Sequence, residues 1–449
     1  MNVLFIAVDD LRPNLGCYGD ENAITPNIDR LASRGVVFDR AYCQQAVCNP
    51  SRASLMTGMR PDALRVWDLQ THFRDTTPDV VTLSEHFKNN GYRAECIGKI
   101  YHDPRSMRDR RSWASEETLA FTPEVGGKYV LPENQRSDDG KGSWKAAATE
   151  CADVEDDAYI DGRVAAATVD RLSTYNGDPF FLGVGFRRPH LPFSAPRKYW
   201  DMQDAASVAT PENPLPPTDV PELALHNWIE LRGYSDIPDV GDLSSEQAAH
   251  LRHGYYAATT YMDAQVGRVL DALESAGLAD DTAVILWGDH GWHLGEHGLW
   301  CKTTNFELDT RAPLLIAAPG CAPGVTKSIV EFIDIYPTLC DLCSLDSPPH
   351  LAGRSLQKIL QDTSLSIKKA AYSQFPHNGC MGCSARTDSH RYTEWINLET
   401  GRTEATELYD HTTDPLESVN LAGREGLEPL TRSLREILLA NDWEVLRSS

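Results

Sequence analysis

No stretch of this chain is apolar for long enough to span a bilayer, which takes about 20 such residues. Positive charge is scarce: 42 lysines and arginines face 65 aspartates and glutamates, for a net charge of −23. That balance excludes a nucleic-acid or anionic-membrane surface as the main partner, and an anionic substrate would need a basic pocket inside an acidic body. Internal repeats and low-complexity tracts are absent. So is a visible leader: Met1 runs straight into NVLFIAV, which ends in two aspartates and is too short for an apolar leader core plus a cleavage site. The expectation is a cytoplasmic protein if Met1 is the native start, and a periplasmic or secreted one if a leader has been removed. An even cysteine count is also missing; with eleven, at least one is unpaired. Cys340 and Cys343 fall in the apolar run DIYPTLCDLC and read as helix core. Cys380 and Cys383, in CMGC, read as a glycine-containing turn in which a disulfide, a bare turn and a metal pair are all open.

What is present reads as a large α/β protein. The 449 residues, 41% of them hydrophobic, suffice for one large domain and a smaller one. Short continuous apolar runs recur at 2–8, 36–41, 93–98, 179–186, 282–287 and 313–320, each the pattern of a strand buried on both faces. Helical segments alternate with them. Thr25-Pro26 opens one that Gly35 closes, and Thr82 with Glu85 forms a capping box for another. A long helix covers about 245–276. Residues 105–160 read as an irregular inserted loop, and 203–244, rich in proline and aspartate, as a long surface excursion. Alternation of this kind predicts a large, mainly parallel central sheet with helices on both faces over residues 1–365. From 366 to 449 the pattern changes to short antiparallel strands and a closing helix, a small C-terminal α+β domain.

Ligands of such sheets bind at the carboxyl ends of strands. Four polar clusters fall there: Asp9-Asp10, Lys99 with His102, His190 in RRPHLPF, and Asp289-His290. Their convergence predicts one composite site. Adjacent carboxylates at a strand end repel each other unless a cation compensates, so Asp9, Asp10, Asp289 and His290 read as metal ligands. Between the second and third strands lies CNPSRASLMTG (48–58), a helix start carrying Cys48 and Arg52.

That stretch resembles the signature of the type I sulfatases, C-x-P-S-R-x-x-x-L-T-G, with Met56 in place of the usual leucine. The resemblance extends over 2–70, 82–103, 155–200, 245–340 and 384–422, and within the family it runs to the iduronate-2-sulfatase branch through TGMRPDALRVWDL, GKIYHDP, FRRPHLPF and GDHGWHLGEHGLWCKTTNFE. It implies an alkaline-phosphatase-like fold and hydrolysis of sulfate esters on a sulfated saccharide. It also implies a formylglycine (3-oxoalanine) made from Cys48 by the formylglycine-generating enzyme. The hydrate of that aldehyde would attack sulfur through one hydroxyl, and the other would later expel sulfate as the aldehyde reforms. Ca2+ would be held by Asp9, Asp10, Asp289, His290 and the group at 48, with Mg2+ or Mn2+ open because imidazole suits softer cations. Arg52 would neutralise charge beside the metal, Lys99 and Lys302 would bind sulfate oxygens, His102 would position a formylglycine hydroxyl, and His190 would contact the sulfate or protonate the leaving oxygen. Trp292 would wall a sugar ring. Arg187 and Arg188 stand where that branch more often has histidine and lysine, and they are candidates for choosing the substrate. The loop DPRSMRDRRSW (103–113) reads equally as a binder of a uronate carboxylate and as solvated surface. Two other readings share the motif: a phosphonate or phosphodiester hydrolase of the same superfamily, and a sulfated-glycan binder in which Cys48 stays a thiol.

Overall fold

The computed structural model describes residues 1–103, 105–120, 127–135 and 146–444. Part of the expected loop over 105–160 therefore lies outside the described residues. Seven strands form the central sheet: β1 (Asn2–Val8), β2 (Val36–Tyr42), β3 (Arg93–Gly98), β4 (Phe180–Phe186), β5 (Thr282–Gly288), β6 (Leu314–Ala317) and β7 (Gly324–Glu331). Their order is β7-β2-β6-β5-β1-β4-β3. β1 runs parallel to both β4 and β5, β3 parallels β4, and β7 parallels β2. Only β6 is antiparallel to its neighbours, so the sheet is mixed but mainly parallel. β7 was not legible in the sequence. GVTKSIVE holds a lysine and a serine mid-run, and its register shifts between Thr326 and Ile329.

β1 shows why these runs are continuous rather than alternating. Val3, Phe5 and Ala7 enter one core with Leu55 and Met56 of α2 (Cys48–Thr57), Phe87 of α3 (Leu83–Asn89) and Leu339 of α6 (Ile335–Leu342). Leu4, Ile6 and Val8 enter the opposite core with Ile28 of α1 (Pro26–Ala32), Val164 of α4 (Ile160–Leu172) and Val266 of α5 (Ser245–Ser275). With helices on both faces, successive side chains are all buried.

Helix starts follow their local chemistry, with amendments. Thr82 Oγ1 accepts the Glu85 N–H at 3.3 Å, but Glu85 turns its carboxylate to Arg74 and Arg111, so half of the expected box forms. Thr25 sits at the N-cap of α1, where its hydroxyl accepts from Gly16 N at 2.9 Å instead of capping; the helix ends at Ala32, short of Gly35. A full capping box, Ser244 with Gln247, opens α5.

Beyond the central sheet, β8 (Ala370–His377), β9 (Cys380–Thr387), β10 (His390–Asn397) and β11 (Thr403–Asp410) form an antiparallel sheet in sequence order, covered by α7 (Glu428–Leu439). CMGC is the start of β9 rather than a turn. The turn is Asn378-Gly379, both at positive φ, as a two-residue hairpin demands. Cys380 packs into one core with Trp395 and Cys383 into another with Tyr392, so the two thiols face opposite sides of the strand. All eleven cysteines are free. The 203–244 excursion is likewise not simply surface: Val208, Trp228, Leu231 and Tyr234 are buried in the core that lies beside the C-terminal sheet. No helix of the described residues is long and apolar enough to cross a membrane.

The β3–β4 pair is unusually close where it leaves the sheet. A Cβ on Gly185 would lie 2.0 Å from the Lys99 carbonyl oxygen, and one on Gly98 would lie 2.1 Å from the Gly185 oxygen, with Gly98 at φ 82°. The backbone that presents Lys99 is therefore set by two glycines. Gly185→Ala is expected to cost about 1–3 kcal/mol by forcing these strands apart, read as a lower urea midpoint at unchanged m.

Candidate active site

Each strand-end cluster reaches the same place. Asp9 and Asp10 follow β1, and Asp10 adopts φ 57°, a left-handed backbone that turns it away from its neighbour. Tyr255 of α5 fixes that turn by donating to the Asp10 carbonyl at 2.9 Å. Asp289 and His290 follow β5, and Asp10 N donates to Asp289 Oδ1 at 2.9 Å. Lys99 follows β3 and donates to Asp9 Oδ2.

Helix α2 is wholly buried and begins at Cys48, with Val47 extended and no side chain capping it. Its first N–H groups are thus available to an anion. Cys48 Sγ lies 3.3 Å from His290 Nε2 and 3.9 Å from Asp10 Oδ1. Burial, with Asp9 and Asp289 adding, pushes the Cys48 thiol well above its usual range against the pull of Lys302. A protonated thiol is a poor nucleophile. One turn later Arg52 is fully buried. Its Nε donates to Asp289 Oδ2 at 2.9 Å, one terminal nitrogen to Asp9 Oδ1 at 2.9 Å, and the other to the carbonyls of Lys99 (2.8 Å) and Ile100 (2.9 Å).

The donor set fits a divalent cation. One ligand atom each from Asp10, Cys48, Asp289 and His290 lies within 4.8 Å of all the others. Burial and the charges of Asp9, Glu230 and Asp289 push Asp10 well above the usual carboxylate range, with Lys302 in partial opposition. A cation among these carboxylates would relieve that repulsion. His290 Nδ1 lies 3.0 Å from the Gly291 carbonyl, which can only accept, so the Nε2 lone pair faces the cluster. Asp9 stands apart from those four. Burial alone would raise its carboxyl, but Lys99 and Arg52 hold it well below the usual range. Each of its oxygens accepts one bond, leaving further lone pairs for an ion.

Lys302 and His190 form the opposite wall. Lys302 lies between two non-glycine residues at positive φ, Cys301 (74°) and Thr303 (90°), a strained turn held where a side chain must be aimed. Its ammonium is 3.1 Å from both Asp10 oxygens. His190 Nδ1 is 2.6 Å from the Leu191 carbonyl, which leaves Nε2 facing Asp10 Oδ2 at 3.7 Å. His102 is half-buried, and its Nδ1 is enclosed with no hydrogen bond. Burial and Lys99 push it well below its usual value, so it is a neutral imidazole.

Three expected substrate contacts do not reach the pocket. Trp292 is fully buried and carries the Lys302 ammonium 4.6 Å from its ring centroid, so it supports a lysine rather than walling a sugar. Arg187 is buried and donates to the carbonyls of Leu119 and Ala120. Arg188 is buried and donates to those of Ser194 and His190. Arg188 braces the turn that carries His190, and Arg187 ties the start of that turn to the segment at 119–120. In the 103–113 loop, Arg108 pairs with Glu117 and Arg111 with Glu85; Pro104 and the side chain of Arg105 lie outside the described residues.

One residue of the site escaped the sequence reading. Glu230 sits in the short helix Ile229–Arg232 within the excursion, and its carboxylate meets Lys302 Nζ at 2.8 Å and His190 Nε2 at 3.3 Å. Burial would raise its pKa, but Lys302 and His190 hold it down to about 2. The available signal was Trp228, Leu231 and Tyr234, three large apolar residues at helical spacing inside a polar tract.

Comparison with known proteins identifies the family. The chain matches the family described as Sulfatase over residues 1–345, and the one described as N-sulphoglucosamine sulphohydrolase, C-terminal, over 295–443. It is 31% identical to the iduronate 2-sulfatase of Mus musculus, over 97% of this chain and 93% of that protein. Among solved structures, a 2-O GAG sulfatase superposes with TM-score 0.73 at 25% identity, covering 98% of this chain and 91% of that one. The phosphonate monoester hydrolase of Agrobacterium radiobacter superposes with TM-score 0.77 at 26% identity, covering 100% and 95%.

Arg52 should be indispensable to this arrangement. Arg52→Ala strands two buried carboxylates and is expected to cost about 3–5 kcal/mol in chemical denaturation. Arg52→Lys should recover little of it, because an ammonium cannot span the four partners of the planar fork.

Proposed function

The chain belongs to the sulfatase family and is a sulfuric ester hydrolase, and from that premise we propose that it desulfates a saccharide, in the manner of an iduronate-2-sulfatase, with residue 48 as nucleophile after its conversion to formylglycine. One observation carries the reading: the side chain of residue 48 lies between an acidic, metal-fitting cluster and the cationic Lys302, at the uncapped start of a buried helix. Formylglycine as its hydrate supplies an oxygen nucleophile, and a divalent cation, Ca2+ with Mg2+ or Mn2+ as alternatives, supplies positive charge opposite the sulfuryl oxygens.

The chain's own groups take the remaining roles. Asp9, Asp10, Asp289 and His290 would hold the ion together with the group at 48. Lys302 and Lys99 orient the sulfuryl group and offset its developing charge, and the N–H groups opening α2 add to them. His190 has its Nδ1 committed to the Leu191 carbonyl. Its Nε2 is thus the atom that faces the sulfuryl group. Since burial favours the neutral ring, it can hand a proton to the leaving alcohol only when protonated at both nitrogens, a form that Glu230 at 3.3 Å would favour. His102, neutral and with Nδ1 unengaged, accepts a proton from the group at 48. Arg52 holds Asp9 and Asp289 in place and, with Lys99, keeps Asp9 ionised. The likeness to the iduronate 2-sulfatase and to the 2-O GAG sulfatase supports a sulfated uronate or a similar unit as substrate. The likeness to the phosphonate monoester hydrolase supports a second reading, hydrolysis of phosphonate or phosphate diesters, and relative rates on aryl sulfate and aryl phosphodiester in metal-defined buffer separate the two.

Protein from a host that carries the formylglycine-generating enzyme should yield a residue-48 peptide at the formylglycine mass. A peptide wholly at the cysteine mass would overturn the assignment. Cys48→Ala should abolish turnover with an unchanged circular-dichroism spectrum. Lys302→Ala and His190→Ala should each lower kcat/KM by about 10²–10³, far more than Arg108→Ala, which removes a pair formed with Glu116 and Glu117.

A further inference from the structure

Every cation of the site already has a carboxylate partner from a strand end. Lys99 has Asp9, Arg52 has Asp9 and Asp289, and Lys302 has both oxygens of Asp10. Glu230 is a second carboxylate on Lys302, reached at 2.8 Å, and it also faces His190 Nε2 at 3.3 Å. These two are the groups that receive a sulfuryl oxygen and the leaving oxygen in the reading above. Glu230 stands on the solvent side: its side chain is 26% exposed, whereas that of Asp10 is fully buried.

Fastening the local chain does not explain this contact. Trp228 Nε1 donates to the Gly298 carbonyl at 3.0 Å, Leu231 is buried, and Arg232 donates to the carbonyls of Asn227, Pro238 and Gly241 at 2.7–2.8 Å. The segment is held without Glu230. What the carboxylate contributes is one negative charge at the rim of an anion pocket, in a site low enough in dielectric for that charge to matter.

We propose that Glu230 is a specificity-determining residue that sets the charge the pocket accepts, favouring sulfate monoesters, whose sulfuryl group carries one negative charge, over phosphate monoester dianions, which carry two. Repulsion from a fixed carboxylate scales with the charge of the incoming anion, so it falls about twice as heavily on the dianion. The same asymmetry acts on the product: inorganic sulfate leaves with one more negative charge than the ester group had, and Glu230 speeds its departure. Discrimination by an unfavourable element is a general route to specificity. The inference deepens the sulfuric ester hydrolase reading and rests on it.

The test compares the metal-loaded enzyme with its Glu230→Gln and Glu230→Asp variants. Substrates are 4-nitrophenyl sulfate and 4-nitrophenyl phosphate at about pH 8, where the phosphate ester is a dianion because its second pKa is about 6. In Glu230→Gln the phosphate-to-sulfate ratio of kcat/KM is expected to rise at least about tenfold, or about 1.4 kcal/mol, and inorganic sulfate should become a correspondingly stronger inhibitor. Glu230→Asp, which keeps the charge, should retain the wild-type ratio. A ratio unchanged in Glu230→Gln overturns the proposal, and so does an equal weakening of both substrates, which is the signature of a carboxylate that merely positions Lys302. A second arm needs no turnover: calorimetric titration of metal-loaded Cys48→Ala, with and without Glu230→Gln, using sulfate (dianion) and methyl sulfate (monoanion). The proposal requires the second substitution to tighten sulfate more than methyl sulfate. Equal tightening refutes it, whereas absent hydrolysis by the parent enzyme alongside selective tightening would count against the esterase reading alone.

Discussion

The site depends on one buried guanidinium. Arg52 has no solvent exposure and joins the ends of three strands that are far apart in sequence: Asp9 after β1, Lys99 and Ile100 after β3, and Asp289 after β5. Five donors in a planar fork meet four acceptors there, a geometry open to arginine and closed to lysine. A charge so deeply enclosed is costly unless its partners are complete. Here they are complete and come from the residues that must be placed relative to one another. Because Arg52 is one turn from Cys48 on a rigid, fully buried helix, the same contacts that satisfy the charge also set the position of residue 48.

Charge compensation then explains how a strongly acidic protein can receive an anion. The pocket is not a basic patch on the surface. It is an interior where carboxylates outnumber what they need to offset, and their excess is what makes a divalent cation fit. Asp9 is held ionised by Lys99 and Arg52, while Asp10, pressed by burial and by other carboxylates, lacks sufficient compensation from Lys302 alone. Two adjacent residues thus have opposite environments. One is matched by two cations, and the other keeps an excess of negative charge around it. The left-handed backbone at Asp10 is the local price of pointing them apart.

Legibility followed physical cause. Polar residues immediately beyond buried apolar strands could be read, because a parallel sheet brings strand ends together wherever they lie in the chain; Asp9, Asp10, Lys99, Asp289 and His290 were placed in one site this way. Strand β6 and helix α2 were recognisable by continuity and by their terminators, whereas β7 hid behind a lysine and a register shift. Side-chain direction was not legible. Trp292, Arg187 and Arg188 lie beside site residues in sequence, yet each turns inward, one to carry a lysine and two to satisfy backbone carbonyls of two separate segments. Glu230 failed for the reverse reason. Its neighbours Trp228, Ile229 and Leu231 signal burial, but they sit in a polar, proline-rich tract and do not tell that a four-residue helix folds back over Lys302.

The C-terminal sheet has more to do with the site than its distance in sequence suggests. Gln374 N donates to the Gln44 carbonyl at 2.9 Å and Ser373 Oγ to the Cys43 carbonyl at 2.6 Å, so β8 holds the extended run that leads into Cys48. Asn305 donates to the Gly382 carbonyl at 3.0 Å, His297 Nε2 lies 2.8 Å from the Leu416 carbonyl, and Glu307 takes ion pairs from Arg386 and Arg391. Those contacts secure both ends of the strained turn that aims Lys302. Strain at Cys301 and Thr303 persists only where surrounding structure over-determines it, and a neutralised, buried ion cluster supplies that constraint. The carboxyl ends of the central strands therefore provide the groups that gather charge, while the antiparallel sheet fixes the two segments, before Cys48 and around Lys302, that face each other across them.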